Sequence, residues 1–368
     1  MNTKRFLGLV LRIGSSVALL IFLFARLDNV SLSEILPDWD AGTPFWLLGA
    51  LSLTMASFVL ASMRWMRVLR ALGLRETTPR LFSHYMAGQF VSNFVPTTVG
   101  GDVLRISRLT RDTGNGPASF TSVVFERLSG WLVLPVFTFA GLLVNSGLRD
   151  LGAATRVAAI LAALTISALT IIILAVGNPI TGRFLTRFSG WARFAQALHI
   201  GLDAFRRNPG EAYRLVGVSF AYQGVLLLAA FLAARAIGID EVGITALMAF
   251  YPAVLIIQVL PLGLGGLGIR ETAMVFFLSR LDVPDERAIG FGLLLGVLIF
   301  VCSIVGFPAL ILGGRPRDRR LTDLIDDGPL AHLAGANGRG NGGPTAPGKA
   351  DDDQSPSEDG DADSTGGR

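Results

Sequence analysis

Residues 44–63 read PFWLLGALSLTMASFVLASM, twenty positions without one charged side chain. A helix rises 1.5 Å per residue, so about twenty apolar residues span the ~30 Å hydrocarbon core of a bilayer. Five further stretches of similar length, 6–25, 130–148, 157–177, 215–234 and 288–312, are nearly charge-free. Charged residues make up 16% of the chain, against about a quarter in an ordinary soluble domain. A soluble protein has no use for six such blocks. The expected fold is an all-α polytopic membrane protein.

Working outward, Lys4 and Arg5 precede the first block as they would in a signal peptide. That block ends in Phe24-Ala25-Arg26-Leu27, which offers no small-residue cleavage site, so a retained helix is expected. Residues 1–313 carry 25 basic and 17 acidic side chains, while 314–368 carry 7 and 11. The basic residues gather at the ends of apolar blocks, which is the positive-inside pattern. It accounts for a pI near 9.7 without a nucleic-acid partner. Residues 314–368 are rich in Gly, Pro, Asp and Ser and read as a disordered, acidic cytoplasmic tail. Cys302 is the single cysteine, which excludes an intramolecular disulfide and a cysteine-based metal cluster.

Charge fixes a topology. The loop holding Asp28, Glu34, Asp38 and Asp40 belongs outside, and Arg64, Arg67, Arg70, Arg75 and Arg80 return the chain inside. Segment 82–104 is then followed by Arg105, Arg108 and Arg111, again cytoplasmic. A segment with inside signals on both flanks enters and leaves by one face, so it reads as a re-entrant hairpin. Segment 119–144 runs outward and 155–177 runs back to the Arg-rich loop 178–214. Segment 215–234 reaches Asp240 and Glu241 outside, 244–282 forms a second broken element, and 288–312 returns to Arg315, Arg317, Arg319 and Arg320. About six crossings and two hairpins, with both termini in the cytoplasm, satisfy every charge cluster.

The two broken elements resemble one another. One reads Pro96-Thr-Thr-Val-Gly100-Gly101-Asp102-Val-Leu-Arg105, the other Pro261-Leu-Gly-Leu-Gly265-Gly266-Leu-Gly-Ile-Arg270. Both are P-x3-G-G-x3-R, and the topology gives them opposite orientations, the pattern of an inverted repeat with a midplane site. Proline and paired glycine interrupt helical hydrogen bonding, and freed backbone groups in hydrocarbon cost several kcal/mol unless protein or water satisfies them. Such breaks therefore line cavities. Gly263-x-Gly265-x-x-Gly268 also fits the dinucleotide fingerprint, but it follows a membrane segment and no βαβ unit accompanies it.

Charged residues near membrane depth mark candidate binding positions. They are Asp102, Arg105, Glu126, Arg127, Arg270 and Glu271, with Gln89, Asn93 and Gln258 as neutral hydrogen-bonding neighbours. Their guanidinium groups suit phosphate; the same residues also suit internal salt bridges that lock the breaks. Arg64-Trp65 reads first as an interfacial anchor, with a substrate contact as the alternative, and Gly292-x3-Gly296 as a helix-packing face. His84, His199 and His332 are scattered, and no nucleophile elbow, phosphate loop or metal motif appears. Neither catalysis nor a cofactor is expected. Phe184, Phe188, Trp191, Ala195, Leu198, Leu202 and Phe205 recur at helical spacing, as in an amphipathic helix on the cytoplasmic surface.

Together these residues resemble the flippase-like membrane domain of lysylphosphatidylglycerol synthetases and its stand-alone relatives. The carriers are Arg64-Trp65, Gly88-Gln89-Phe90-Val91-Ser92-Asn93-Phe94-Val95-Pro96, Gly101-Asp102-x2-Arg105, Phe125-Glu126-Arg127-Leu128 and Pro261-x3-Gly265-Gly266-Leu267-Gly268-Ile269-Arg270-Glu271. The resemblance covers roughly residues 5–313. Gly101-Asp102 stands where the family usually has Gly-Glu, and Ser129-Gly130 where it often has an Asp. The resemblance implies movement of an anionic, aminoacylated, isoprenoid or glycolipid between leaflets of the cell membrane. The soluble aminoacyltransferase domain is not expected in the 55-residue tail. Two other readings remain: a non-transporting scaffold for a lipid- or glycan-modifying membrane enzyme, and a transporter of small solutes. The topology is tested with Cys302 replaced. A cysteine at Val30 or Asp240 should react with an impermeant thiol reagent from outside and one at Arg111 should not; the reverse labelling refutes the orientation.

Overall fold

The computed structural model of the chain describes residues 37, 39–94, 100–177, 189–259 and 266–312. The expected first helix at 6–25, the break residues Pro96, Pro261 and Gly265, the positions Phe184 and Phe188, and the tail at 314–368 lie outside those residues. Regular structure among the described residues is helical throughout. In chain order, α1 is Thr43–Ala71, α2 Thr78–Phe94, α3 Gly100–Thr113, α4 Gly116–Val144 and α5 Ala153–Gly177. Then follow α6 Ser189–Arg207, α7 Pro209–Ala236, α8 Ile244–Gln258, α9 Ile269–Leu278, α10 Asp285–Ile304 and α11 Gly306–Leu312.

Among the described residues, five spans are long and apolar enough to cross a bilayer: α1, α4, α5, α7 and the α10–α11 pair. They contain the apolar blocks read from the sequence after the first, with one shift. Block 130–148 is only the later part of α4, which starts at Gly116, and its last residues turn into the 3-10 segment Ser146–Asp150. Asn115 sets that start, its side chain accepting from the Ala118 N–H at 3.0 Å, with Pro117 at a position that needs no N–H. Glu126 and Arg127 therefore lie about three turns into the helix.

The broken elements are pairs of short helices. With 17 and 14 residues in α2 and α3, and 15 and 10 in α8 and α9, none reaches the ~20 residues of a full span. Within each pair the two pieces pack on each other. Gly88 and Gly101 make the first pair possible, because a Cβ on Gly101 would overlap the Gly88 carbonyl and the Ser92 hydroxyl. At the second break Gly266 and Gly268 stand at φ +86° and +84°, left-handed backbone that glycine adopts without a Cβ penalty. The Glu271 carboxylate then accepts the Gly268 N–H at 2.6 Å and starts α9.

Lipid tails are as apolar as leucine, so close backbone approach replaces hydrophobic exclusion as the packing force between helices. The α1–α7 contact, the most extensive in the fold, buries Ala229, Ala230, Ala233 and Ala234 on α7. Between α4 and α8, the ideal Cβ position on Gly141 lies 2.5 Å from the Ala249 nitrogen. Stacked rings of Phe250 and Phe277, 5.4 Å apart, join α8 to α9. The amphipathic helix exists as α6, but its apolar face lies on protein: Ala195 and Leu198 pack with Val68, Phe125 and Leu215, and Trp191 stays exposed.

Gly141→Leu should force α4 and α8 apart and cost about 1–3 kcal/mol or more. Gly217→Leu, on an open face of α7, should stay within roughly 0.5 kcal/mol of the parent. Thermal unfolding in mild detergent distinguishes them, and equal effects would contradict the packing.

Candidate functional site

Residues flanking both breaks line one cavity of about 580 Å³. Eight of the nine candidate side chains line it: Gln89 and Asn93 from α2, Asp102 and Arg105 from α3, Glu126 and Arg127 from α4, Gln258 from α8 and Arg270 from α9. The ninth, Glu271, stands behind Arg270. Gly101 and Gly266 also line the cavity, whereas Gly100 begins α3 beside it. Asn93 reaches across to α10, its amide donating to the Ser303 hydroxyl at 2.5 Å.

Five side chains form an alternating chain of charge. Arg64 donates through Nε to Glu126 Oε1 at 3.0 Å and through Nη2 to the same oxygen. The other Glu126 oxygen accepts from both Nη1 and Nη2 of Arg105 at 3.2 Å. Arg105 Nη1 lies 3.3 Å from Asp102 Oδ1, and Asp102 Oδ2 accepts from Arg127 Nε at 2.5 Å. Four members are nearly buried, but the Arg127 side chain is 47% exposed and opens toward the cavity. Aromatic faces cover the inner cations: Arg64 lies 4.5 Å from the Tyr222 ring, and Arg105 lies 4.3 Å from Trp65 and 4.7 Å from Tyr85. Such contacts favour a desolvated cation by about 2 kcal/mol.

The second break carries its own ion pair. Arg270 donates to Glu271 Oε1 through Nη2 at 2.7 Å and Nε at 3.1 Å. Gly292 and Gly296 on α10 leave the room: Cβ atoms there would press on Glu271 and on the Arg270 guanidinium. The expected packing face is thus a socket for a charged pair.

A third cluster lies at the far ends of α2 and α3. Arg80 grips Asp112 with both prongs, at 2.7 and 2.8 Å, and His84 Nε2 meets the same carboxylate at 2.7 Å. Burial works against the charged form of Asp112, but the hydrogen bonds from Arg80 and His84 outweigh it and hold its carboxyl below the ordinary value. Arg108 donates to the Ala309 and Leu310 carbonyls at 2.9 and 2.7 Å, capping the end of α11.

Sequence reading placed Arg64-Trp65 at the membrane interface. Both are buried instead, Trp65 completely, its indole N–H donating to Ser122 Oγ at 2.9 Å. A charge so near the end of an apolar block resembles an anchor until its partner on another helix is known. Tyr222, Gln223 and Tyr251 line the cavity and were not anticipated. The signal was present: Tyr222-Gln223 is a polar pair inside an otherwise apolar block.

Fold and cavity together define a multi-pass α-helical membrane protein with a charged cavity built where its helices break. The family described as lysylphosphatidylglycerol synthase TM region matches residues 7–306, and the chain belongs to that family. No curated protein matches the chain.

Glu126 is the link whose loss strands two cations. Glu126→Ala should cost about 3–5 kcal/mol and lower the detergent melting temperature well below that of Arg127→Ala, whose cation is half-exposed. Equal losses would show that the chain of ion pairs does not organise the helices.

Proposed function

We propose that the chain is a lipid translocase of the cytoplasmic membrane, both termini on the cytoplasmic side, that passes an anionic headgroup through the cavity between its two broken elements. The observation carrying this reading is the alternating ion chain that ends on a half-exposed arginine inside a cavity lined by both breaks. Backbone breaks and buried charge at membrane depth are costly, and transport of a polar group past hydrocarbon gives both a use. Arg127 would meet the headgroup first, with Arg105 and Arg270 behind it. Asp102, Glu126 and Glu271 would hold those cations in place or pair with a cationic group on the lipid. Leu134, Leu226, Leu255 and Val297 on the same wall suit acyl chains. In this reading the two P-x3-G-G-x3-R elements are an inverted pair, so rocking one against the other would expose the cavity to alternate leaflets. The partners it requires are membrane lipids.

The test uses the full chain in vesicles holding a trace of fluorescent phosphatidylglycerol, with dithionite quenching from outside. The parent should render nearly all label accessible, and Arg127→Ala should fall to the protein-free background while remaining folded. Transport undiminished in the variant would remove Arg127 from the mechanism, and no transport by the parent would remove the translocase reading for this lipid.

A further inference from the structure

The ion pairs do not balance. Arg64, Arg105, Arg127 and Arg270 stand with Asp102, Glu126 and Glu271 at the cavity, which leaves one positive charge among the described residues. The break sequences at 95–99 and 260–265 hold no ionisable residue that would change the count. The surplus also has an address. Arg270 is matched by its own Glu271 at 2.7 Å, so the excess belongs to the chain that begins on Arg64 and ends on Arg127. Arg64 also lines the cavity, but its side chain is only 7% exposed, covered by the Tyr222 ring and with the Gly130 backbone against its guanidinium. The Arg127 end is open, with Nε bound to Asp102 and the remaining prongs of its fork turned to a 47% exposed surface.

From this we infer that the cavity selects a lipid whose headgroup carries one negative charge, a phosphodiester, over zwitterionic lipids and over doubly charged phosphomonoesters. The inference rests on reading the cavity as a lipid headgroup site. An uncompensated charge is expensive where water is scarce, and one negative charge removes the imbalance. A second would leave the site negative beside Asp102 and Glu126. A zwitterion leaves the imbalance in place and brings an ammonium group toward Arg127. A diester offers two unesterified oxygens, the geometry that a guanidinium fork accepts. The apolar wall of Leu134, Leu255 and Val297 points to a lipid rather than a free ion as the source of that phosphate.

The experiment is native mass spectrometry of the full chain in mild detergent. The protein is equilibrated with equal amounts of phosphatidylglycerol, phosphatidylcholine and phosphatidic acid. Phosphatidic acid carries a phosphomonoester of about −1.5 to −2 charge at neutral pH. The parent should retain phosphatidylglycerol about tenfold over either competitor, a difference of about 1.4 kcal/mol. Two variants neutralise the cavity by different chemistry: Arg127→Gln removes the open cation, and Gln89→Glu adds a carboxylate without touching the ion chain. In both, the preference for phosphatidylglycerol over phosphatidylcholine should fall to about threefold or less. Asp102→Asn, which adds a second surplus charge, should move retention toward phosphatidic acid; if it does not fold, the other two variants decide. Indifference of the parent, a parent preference for phosphatidic acid, or an undiminished preference in folded Gln89→Glu overturns the inference. Dimethyl phosphate, the same diester without tails, should fail to displace the lipid at equal concentration; displacement refutes a lipid source. Charge preference without movement in the vesicle assay refutes translocation alone, and movement without charge preference refutes this inference alone.

Discussion

A single carboxylate, Glu126, sits between the guanidinium groups of Arg64 and Arg105 and joins three helices. Arg64 comes from α1, Arg105 from α3 and Glu126 from α4. Each charge alone would be unaffordable at membrane depth, so the helices are held in the one arrangement that pairs them. Much of the surrounding geometry follows. Trp65 lies against Arg105 because it is next to Arg64 on α1, and its N–H finds Ser122 one turn before Glu126. The α2–α3 hairpin must bring Asp102 and Arg105 to the same point, which its glycine-to-glycine crossing at Gly88 and Gly101 permits.

The membrane class, the five spans from α1 onward and the division of two segments into short helices were legible because hydrocarbon imposes a length and a composition that few soluble sequences meet. Block 44–63 lies inside α1 and block 215–234 inside α7 with no adjustment. Segment 119–144 came within three residues of the start of α4, although Thr121, Ser122 and Glu126 dilute its apolar signal and find their partners only in the folded protein. The candidate residues around the breaks were found one by one, from charge and polarity at membrane depth. Their pairing was beyond reach, because nothing in a linear pattern says that Arg64 faces Glu126 sixty-two positions away. Position 64 was accordingly misread as an anchor, and Gly130, which gives its guanidinium room, drew notice only as a departure from the family pattern.

Glycine recurs wherever a charged group needs room. Gly130 lies against Arg64, Gly296 against Arg270, Gly292 against Glu271 and Gly88 against the stem of Arg105. Planar guanidinium groups lie flat on a bare backbone, and a methyl group would lift them off their carboxylates. The helix α6 uses the same device for an aromatic ring: Gly201 admits Phe125, the residue preceding Glu126. Small residues here serve placement of side chains as much as approach of helices.

Arginine keeps its proton throughout the physiological range, so the surplus cation at Arg127 cannot be discharged by any ordinary change of pH. In the language of materials, the headgroup site proposed above would be a fixed-charge ion exchanger rather than a titratable one. An exchanger of that kind is neutral when loaded and charged when empty, and moving a charged empty cavity through hydrocarbon is the harder half of a cycle. If the cavity carries headgroups as proposed, this arrangement would favour counterflow, in which one anion leaves as another enters, over one-way passage followed by an empty return.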